Sequence, residues 1–279
     1  MKINSIIDLV KDLDTSRQTK YLNKLLIRIL LHLQVEFSLQ EIDRLQNSDY
    51  LITLNDSMSA WLQTKGCEVP KGELKIWDYL SPAIVLNKIE PATDYTVVYA
   101  GALGYNKNRF LYELDRLPRQ WHLSVYGKGL EADKILNKEY FSYNGFLPAD
   151  QLISSVQGDF GLVWDGDSYE ACTGNYGEYL RYNNPHKVSL YVRCHLPLII
   201  WEKAALAPFI KEKEIGICIN SLEELDGKLE KLTVDDYFKM KSRVIEISNL
   251  LSVGYFFTKA LDEAVKFLTK SDVADEGRN

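Results

Sequence analysis

The sequence predicts an α/β protein built on a parallel sheet, and three observations predict it. Short apolar runs of strand length alternate with stretches whose apolar residues recur at helical spacing. Several runs, such as residues 95–100 and 196–201, are continuous and read as buried strands. The runs end in glycine-bearing turns, as at Gly101, Gly127 and Gly145, the punctuation expected where a strand turns into a helix.

Taken in order, residues 6–10 read as a strand that runs into a polar loop over 11–17, which holds Asp12 and Asp14. Residues 20–33 carry Leu22, Leu25, Leu26, Ile29, Leu30 and Leu33 at helical spacing. A second helix runs from Ser38, its cap, to about Gln46, with Glu41 three residues on. A short strand follows at 50–54. Asn55 or Asp56 then caps a helix through Met58, Trp61 and Leu62 that stops at Gly66. Residues 74–77 form one more strand. With so few strands before residue 80, the N-terminal domain is expected to be incomplete, because a doubly wound sheet needs several units to cover both faces. Domain bounds are 1–90 for this part and its linker, with Pro82 and Pro91 in the linker at 81–94.

The second domain spans 91–270. Its strands are expected at 95–100, ending in a turn at Gly101, and at 121–126, ending at Gly127-Lys128-Gly129. Others follow at 140–143, 159–164, 196–201 and 215–219. Helices run through Phe110, Leu111 and Leu114, after Pro148 or Asp150, and over 204–211. Asn220 and Ser221 cap a further helix. The stretch from 165 to 181 reads as a loop. The last long helix, 255–268, carries the stripe Phe256, Leu261, Ala264 and Leu268. The polar residues 271–279 are expected to be disordered.

The organising stretch is Tyr182-Asn183-Asn184-Pro185-His186-Lys187. Asn184 reads as a helix N-cap and Pro185 as the first helical residue, where a missing N–H costs nothing. Lys187 is out of place there, because the first turn of a helix favours an anion. It makes sense if an anion such as phosphate is shared between the ammonium and the free N–H groups. Its plain alternative is a solvated lysine on an ordinary helix.

The net charge of −6 argues against a broad nucleic-acid surface. Cys67, Cys172, Cys194 and Cys218 form no C-x-x-C pair and no zinc spacing, so they read as reduced, mostly buried thiols of a cytosolic protein. The first residues make neither a signal peptide nor a membrane span. The glycines fit neither G-x-G-x-x-G nor the phosphate loop of NTPases, which disfavours nicotinamide enzymes and P-loop proteins.

In an open parallel sheet, ligands bind beyond the carboxyl ends of the strands. Those ends carry Gly101, Lys107, Arg109, Lys128, Phe146, Asp165, Glu202 and Ala204, with His186 and Lys187 at the organising helix. Glycines for close approach and clustered cations suit a diphosphate, and Glu202 suits ribose hydroxyls. Asp12 or Asp14 is a candidate general base, with loop capping as the plain alternative. Asp165 and Asp167 read either as an ordinary acidic loop or as metal ligands. His122, His32 and His195 read as structural.

The Tyr182–Lys187 run, the run from Leu196 to Gly216 and the late Gly254-Tyr255-Phe256-Phe257 together resemble bacterial GT-B glycosyltransferases of the glucosyltransferase 3 and β-1,6-galactofuranosyltransferase-like family. The resemblance implies two Rossmann-like domains facing a cleft, with a UDP-sugar on the C-terminal one. It implies no metal and no other cofactor, a glycan or glycopeptide acceptor, and a homo-oligomer. By this resemblance Lys187 holds the diphosphate, Arg109 holds phosphate or uridine, and Tyr182 and Asn184 line the sugar–phosphate site. The last helix crosses back to the N-terminal domain. Lys11 stands where the family has a histidine. With the short front half, that leaves a rival reading: a catalytically inactive nucleotide-sugar-binding partner subunit.

Overall fold

The computed structural model describes residues 39–86 and 94–276. The elements expected at 6–10 and 20–33, and the loop with Asp12 and Asp14, lie outside the described residues. The chain divides into two compact units. Residues 39–80 and 253–276 form one, and the remaining described residues form the other.

In the first unit, α1 (Leu39–Gln46) and α2 (Asp56–Thr64) accompany two short parallel strands, β1 (Leu51–Thr53) and β2 (Lys71–Glu73). Asn55 caps α2 by accepting from the Met58 N–H at 2.9 Å. The second strand lies earlier than the expected 74–77. Lys75 takes a positive φ of 71°, which extended backbone does not allow, so pairing ends before it. Leu74 and Ile76 are nonetheless buried, which is the apolar signal that misplaced the strand. The long last helix packs on both strands. Its first turn is held by Asp78, whose carboxylate accepts from the N–H groups of Phe256 and Phe257 at 3.2 and 2.6 Å.

The second unit is a six-stranded, wholly parallel sheet. Its strands are β3 (Thr96–Ala102), β4 (His122–Lys128), β5 (Phe141–Tyr143), β6 (Phe160–Val163), β7 (Leu198–Trp201) and β8 (Gly216–Ile219), in spatial order β5-β4-β3-β6-β7-β8. This is the order of a Rossmann fold, reversing direction between the first and fourth strands of the unit. The helices are α3 (Phe110–Glu113), α4 (Ala149–Ser155), α5 (Gly174–Tyr179), α6 (His186–Arg193), α7 (Ala207–Lys213), α8 (Leu225–Glu230) and α9 (Val234–Ser252), and α10 (Tyr255–Glu276) belongs to the first unit. β6 and β7 are buried at every residue, as strands covered on both faces must be.

The reversal is visible in the ladder. β3 pairs with β4 along its whole length, from Thr96↔His122 to Ala102↔Lys128. With β6 it pairs only at Val97↔Phe160 and Val98↔Gly161. Beyond that point the two strands part, and Tyr191 of α6 fills the opening. Its ring lies against Gly161, where any Cβ would overlap ring atoms. Its hydroxyl accepts from the Ala100 N–H at 2.7 Å, a donor that has lost its strand partner and must be satisfied.

Four other expectations change. Gly101 is not a turn residue: β3 continues through Ala102, and the strained glycine is its cross-strand partner Gly127, with φ 152° and no room for a Cβ beside the Gly101 carbonyl. The organising helix begins at His186, so Pro185 and not Asn184 occupies the cap position; Pro185 has ψ 130°, which is extended and not helical. The stretch 165–181 is not all loop, since α5 forms within it. The tail is helical through Glu276, because no glycine or proline interrupts residues 255–276 and helix extension costs little once a packed segment has nucleated it.

Helix α9 has no counterpart among the sequence expectations. Its signal was present: Thr233 and Asp236 form a reciprocal cap, and Tyr237, Val244, Ile247 and Leu251 are its buried stripe. It packs on α6, and so backs the helix that carries Lys187.

Gly127→Ala is expected to destabilise the fold by about 3 kcal/mol or more, while Gly101→Ala, whose Cβ meets only ordinary contacts, changes stability by less than about 1 kcal/mol. Tyr191→Phe leaves the Ala100 N–H unpaired and is expected to cost about 1–3 kcal/mol. Urea denaturation of the three variants checks both statements.

Candidate functional site

The crevice at the strand reversal is where a parallel α/β sheet places its ligand. Here Gly101 and Ala102 are exposed although β3 is a central strand, so the carboxyl end of the sheet is open at this point. Four groups converge beside it. The Lys187 ammonium donates to Asp165 Oδ1 at 2.8 Å, to the Tyr99 hydroxyl at 3.1 Å and to the Trp164 carbonyl at 3.3 Å. It also lies 4.4 Å from the centroid of the Tyr99 ring. Tyr99 in turn donates to Asp165 Oδ1 at 3.0 Å. Lys187 is therefore not a solvated surface lysine: 12% of its side chain is accessible.

Helix periodicity explains the placement. Lys187 and Tyr191 are four residues apart and share one face of α6. Once Tyr191 enters the gap beside Gly161, Lys187 is carried to the mouth of the same gap. Burial pushes the ammonium below its ordinary value, while the Asp165 carboxylate works against that shift and Lys107 adds to it. Burial, reinforced by Asp165, pushes the Tyr99 phenol well above its usual range, so it is a neutral hydrogen-bonding group.

The loop after β3 supplies Lys107 and Asn108. Asn108 is fully buried and donates to the Ala102 carbonyl at 2.7 Å. The Lys107 ammonium lies over the ring of Tyr176, an exposed residue of α5, at 5.3 Å. The segment from Asp165 to α5 is locked by glycines: Cβ atoms on Gly166, Gly174 and Gly177 would overlap Thr173, Asp167 and Cys172. Asp165 is committed to Lys187. Among the described residues no group of three His, Cys, Asp or Glu side chains is placed to hold a metal ion.

A second cluster lies along the same edge. Ala102 is paired with Lys128, whose ammonium lies 4.3 Å from the ring centroid of Phe146, itself 53% exposed. Glu202, just past β7, forms an ion pair with Lys211, and the buried Ala204 closes a turn on the Trp201 carbonyl at 3.0 Å. Asn184 is buried, Tyr182 half-buried and His186 exposed, all in the approach to α6. Arg109 is exposed and turns to the Tyr105 ring at 5.3 Å. Thus Lys187 lies at the strand reversal with Lys107 near enough to act on it electrostatically, and Lys128 meets Phe146. Glu202 and Arg109 have other neighbours. His122 bonds Ser142 at 2.6 Å, as a structural residue does.

Tyr99 and Tyr191 were not legible as site residues. Both sit in apolar runs whose chemistry looked like core. Asp165 was legible only as an acidic loop residue. A separate open groove of about 540 Å³ lies between Pro82, Ala83 and α4, and none of its lining residues belongs to either cluster.

Comparison with known proteins places the chain in a family and a fold. The chain is 33% identical over 224 residues to the β-1,6-galactofuranosyltransferase WbbI of Escherichia coli K12, covering 80% of this chain and 65% of that protein. It is 29% identical over 230 residues to glucosyltransferase 3 of Streptococcus gordonii, with 80% and 64% covered. The chain therefore spans less than two thirds of the length of these relatives. Among solved structures, the UDP complex of Anabaena Alr3699/HepE matches with a TM-score of 0.54 at 12% identity, over 84% of this chain and 69% of that one. The lipopolysaccharide outer core galactosyltransferase WaaB matches at 0.52 and 12%, over 82% and 66%. These likenesses extend to the fold, which is that of GT-B glycosyltransferases. Residues 97–264, spanning the sheet, the strand reversal and Lys187, match the model of a single family, and the chain belongs to it: the glucosyltransferase 3-like, C-terminal domain family.

Proposed function

We propose that the chain is a glycosyltransferase that moves a hexosyl unit, galactofuranose or glucose, from UDP to a glycan or glycopeptide acceptor. The observation that carries the reading is the Lys187 ammonium, held by Asp165 and Tyr99 beside the place where β3 and β6 part. Two relatives support the chemistry by their names, and the related fold of HepE was solved with UDP. The homo-oligomeric and cytoplasmic character expected from the sequence belongs to the same proposal.

In this reading the diphosphate lies across the mouth of the strand reversal. A phosphate oxygen replaces the Trp164 carbonyl, the longest of the three Lys187 contacts, because a charged acceptor makes the stronger bond. Lys107 faces the same charge. Gly101 lets the ligand approach the backbone, and Arg109 reaches phosphate or uridine. Lys128 and Phe146 border the nucleotide, with Tyr182, Asn184 and His186 on the sugar–phosphate side. Glu202 and the turn at Ala204 take the ribose. As the glycosidic bond breaks, negative charge grows on the departing diphosphate, and fixed cations stabilise it without reorganising. The protein otherwise contributes position, and no metal is required. Asp12 or Asp14 remains the proposed base.

Titration calorimetry should detect UDP binding, and Lys187→Ala should weaken it about tenfold or more. That variant also leaves Asp165 with no counter-ion, so a stability loss of about 3 kcal/mol is expected, and binding must be read well below its melting temperature. Unchanged affinity would overturn the seat. Transfer from UDP-hexose to an acceptor pool should persist in excess EDTA; loss of transfer that a divalent cation restores would remove the metal-independent mechanism. UDP binding with no UDP release in the presence of acceptors would select the inactive partner subunit instead.

A further inference from the structure

Asp165 sits where an anion-binding site would be expected to avoid a carboxylate. It is next to the cation that is to meet the diphosphate, and only 11% of its side chain is accessible. We propose that Asp165 is a positioning residue for donor binding, fixing the Lys187 ammonium at the mouth of the strand reversal and supplying the counter-charge that keeps it an ammonium. The proposal rests on the reading of this crevice as the diphosphate seat.

The geometry argues for the role in two ways. A lysine ammonium has three donors on a flexible stem and holds no direction of its own. Here one oxygen, Asp165 Oδ1, receives both the ammonium at 2.8 Å and the Tyr99 hydroxyl at 3.0 Å. The phenol, fixed in a fully buried strand position, therefore orients the carboxylate, and the carboxylate orients the ammonium. The charge inventory points the same way. The titratable groups that act on Lys187 are Asp165 and Cys172 from the segment after β6, Tyr99 from β3 and Lys107 from the loop after β3. Burial keeps the Tyr99 phenol and the Cys172 thiol neutral by raising both well above their usual values. Lys107 repels. Asp165 is the one carboxylate among them, and a buried lysine without a counter-ion readily gives up its proton.

The test is the pH dependence of UDP affinity. Asp165→Asn removes the charge and keeps the shape. Near about pH 6.5 this variant should bind UDP at least as tightly as the wild type. At about pH 9 it should bind about fivefold or more weakly, because Lys187 has lost its proton. Relative to the wild type titrated in parallel, which corrects for the ionisation of UDP itself, adding Lys187→Arg to Asp165→Asn should abolish the extra loss at about pH 9, since a guanidinium stays charged. The same loss at both pH values would mean that Asp165 only supports the fold, and it would overturn the proposal. Asp165→Glu keeps the charge but moves it by a methylene. It should lower affinity at both pH values, and unchanged affinity would overturn the positioning role even if Asp165→Asn fails to fold. The carbon resonance next to the Lys187 ammonium, assigned by its absence in Lys187→Arg, should titrate at lower pH in Asp165→Asn than in the wild type. This last readout needs no ligand. If the resonance titrates at lower pH in Asp165→Asn than in the wild type but the wild type binds no UDP, the reading of the seat fails and the ion-pair assignment stands. UDP binding with no shift does the reverse.

Discussion

The contact between Tyr191 and Gly161 is the constraint on which the rest of the second unit depends. A glycine in the middle of a four-residue buried strand is costly by itself, since it gives up packing and adds chain entropy. Here it admits a tyrosine ring onto the strand. The ring brings α6 down at the place where β3 and β6 stop pairing, and its hydroxyl takes the amide that the parting strands leave unpaired. The opening of the sheet, the docking of the helix and the satisfaction of a buried donor are thus one event. The crevice exists because that gap is filled from below by a phenol and left open above it.

What stands above the phenol is an electrically balanced group and not a bare cation. Asp165 cancels the charge of Lys187, and Tyr99 ties the two together without adding charge of its own. A free buried ammonium would be expensive and would tend to lose its proton. The pair removes that cost while leaving a donor that an anion can claim from a neutral carbonyl. Lys107, held over Tyr176 at the same edge, keeps the local balance positive. A site built this way tolerates an empty state, which a cluster of unpaired lysines would not.

Much of the fold was legible in the sequence, and the reasons differ by element. Among the six strands of the second unit, β6 and β7 announce themselves because strands covered on both faces must be apolar throughout, and the other four show as short apolar runs between turns and helices. The cap of α2 was visible to within one residue, Asn55 or Asp56, because only a few side chains can satisfy a first-turn amide, and the structure selects Asn55. Failures came where local pattern and tertiary contact diverge. Leu74 and Ile76 are buried without being in a strand, because Lys75 turns the chain between them. Gly101 looked like a turn, but the close backbone approach belongs to Gly127 across the ladder. Of the candidate site, Lys187 stood out because its charge contradicts its place at a helix start; of the strand-end residues, Lys107 acts on it while Glu202 and Arg109 have other neighbours. The other half of the site was hidden. Tyr99 and Tyr191 are aromatic residues in apolar runs, and nothing local distinguishes a phenol that orients a carboxylate from one that fills a core.

The register of α6 explains why the Asn184-Pro185-His186-Lys187 run is informative when each residue alone is weak. Pro185 takes an extended ψ and so fixes where the helix begins. From that start, Lys187 and Tyr191 fall on one face, and Gly161 accepts only the second of them. Moving the start by one residue would rotate every side chain by about 100°. Tyr191 would leave Gly161, and Lys187 would leave Asp165. The cap, the lysine, the tyrosine and the distant glycine therefore specify one another. A sequence run that sets a helix start, read together with the ring and the glycine it must meet, describes a geometry, and a geometry is what an anion seat consists of.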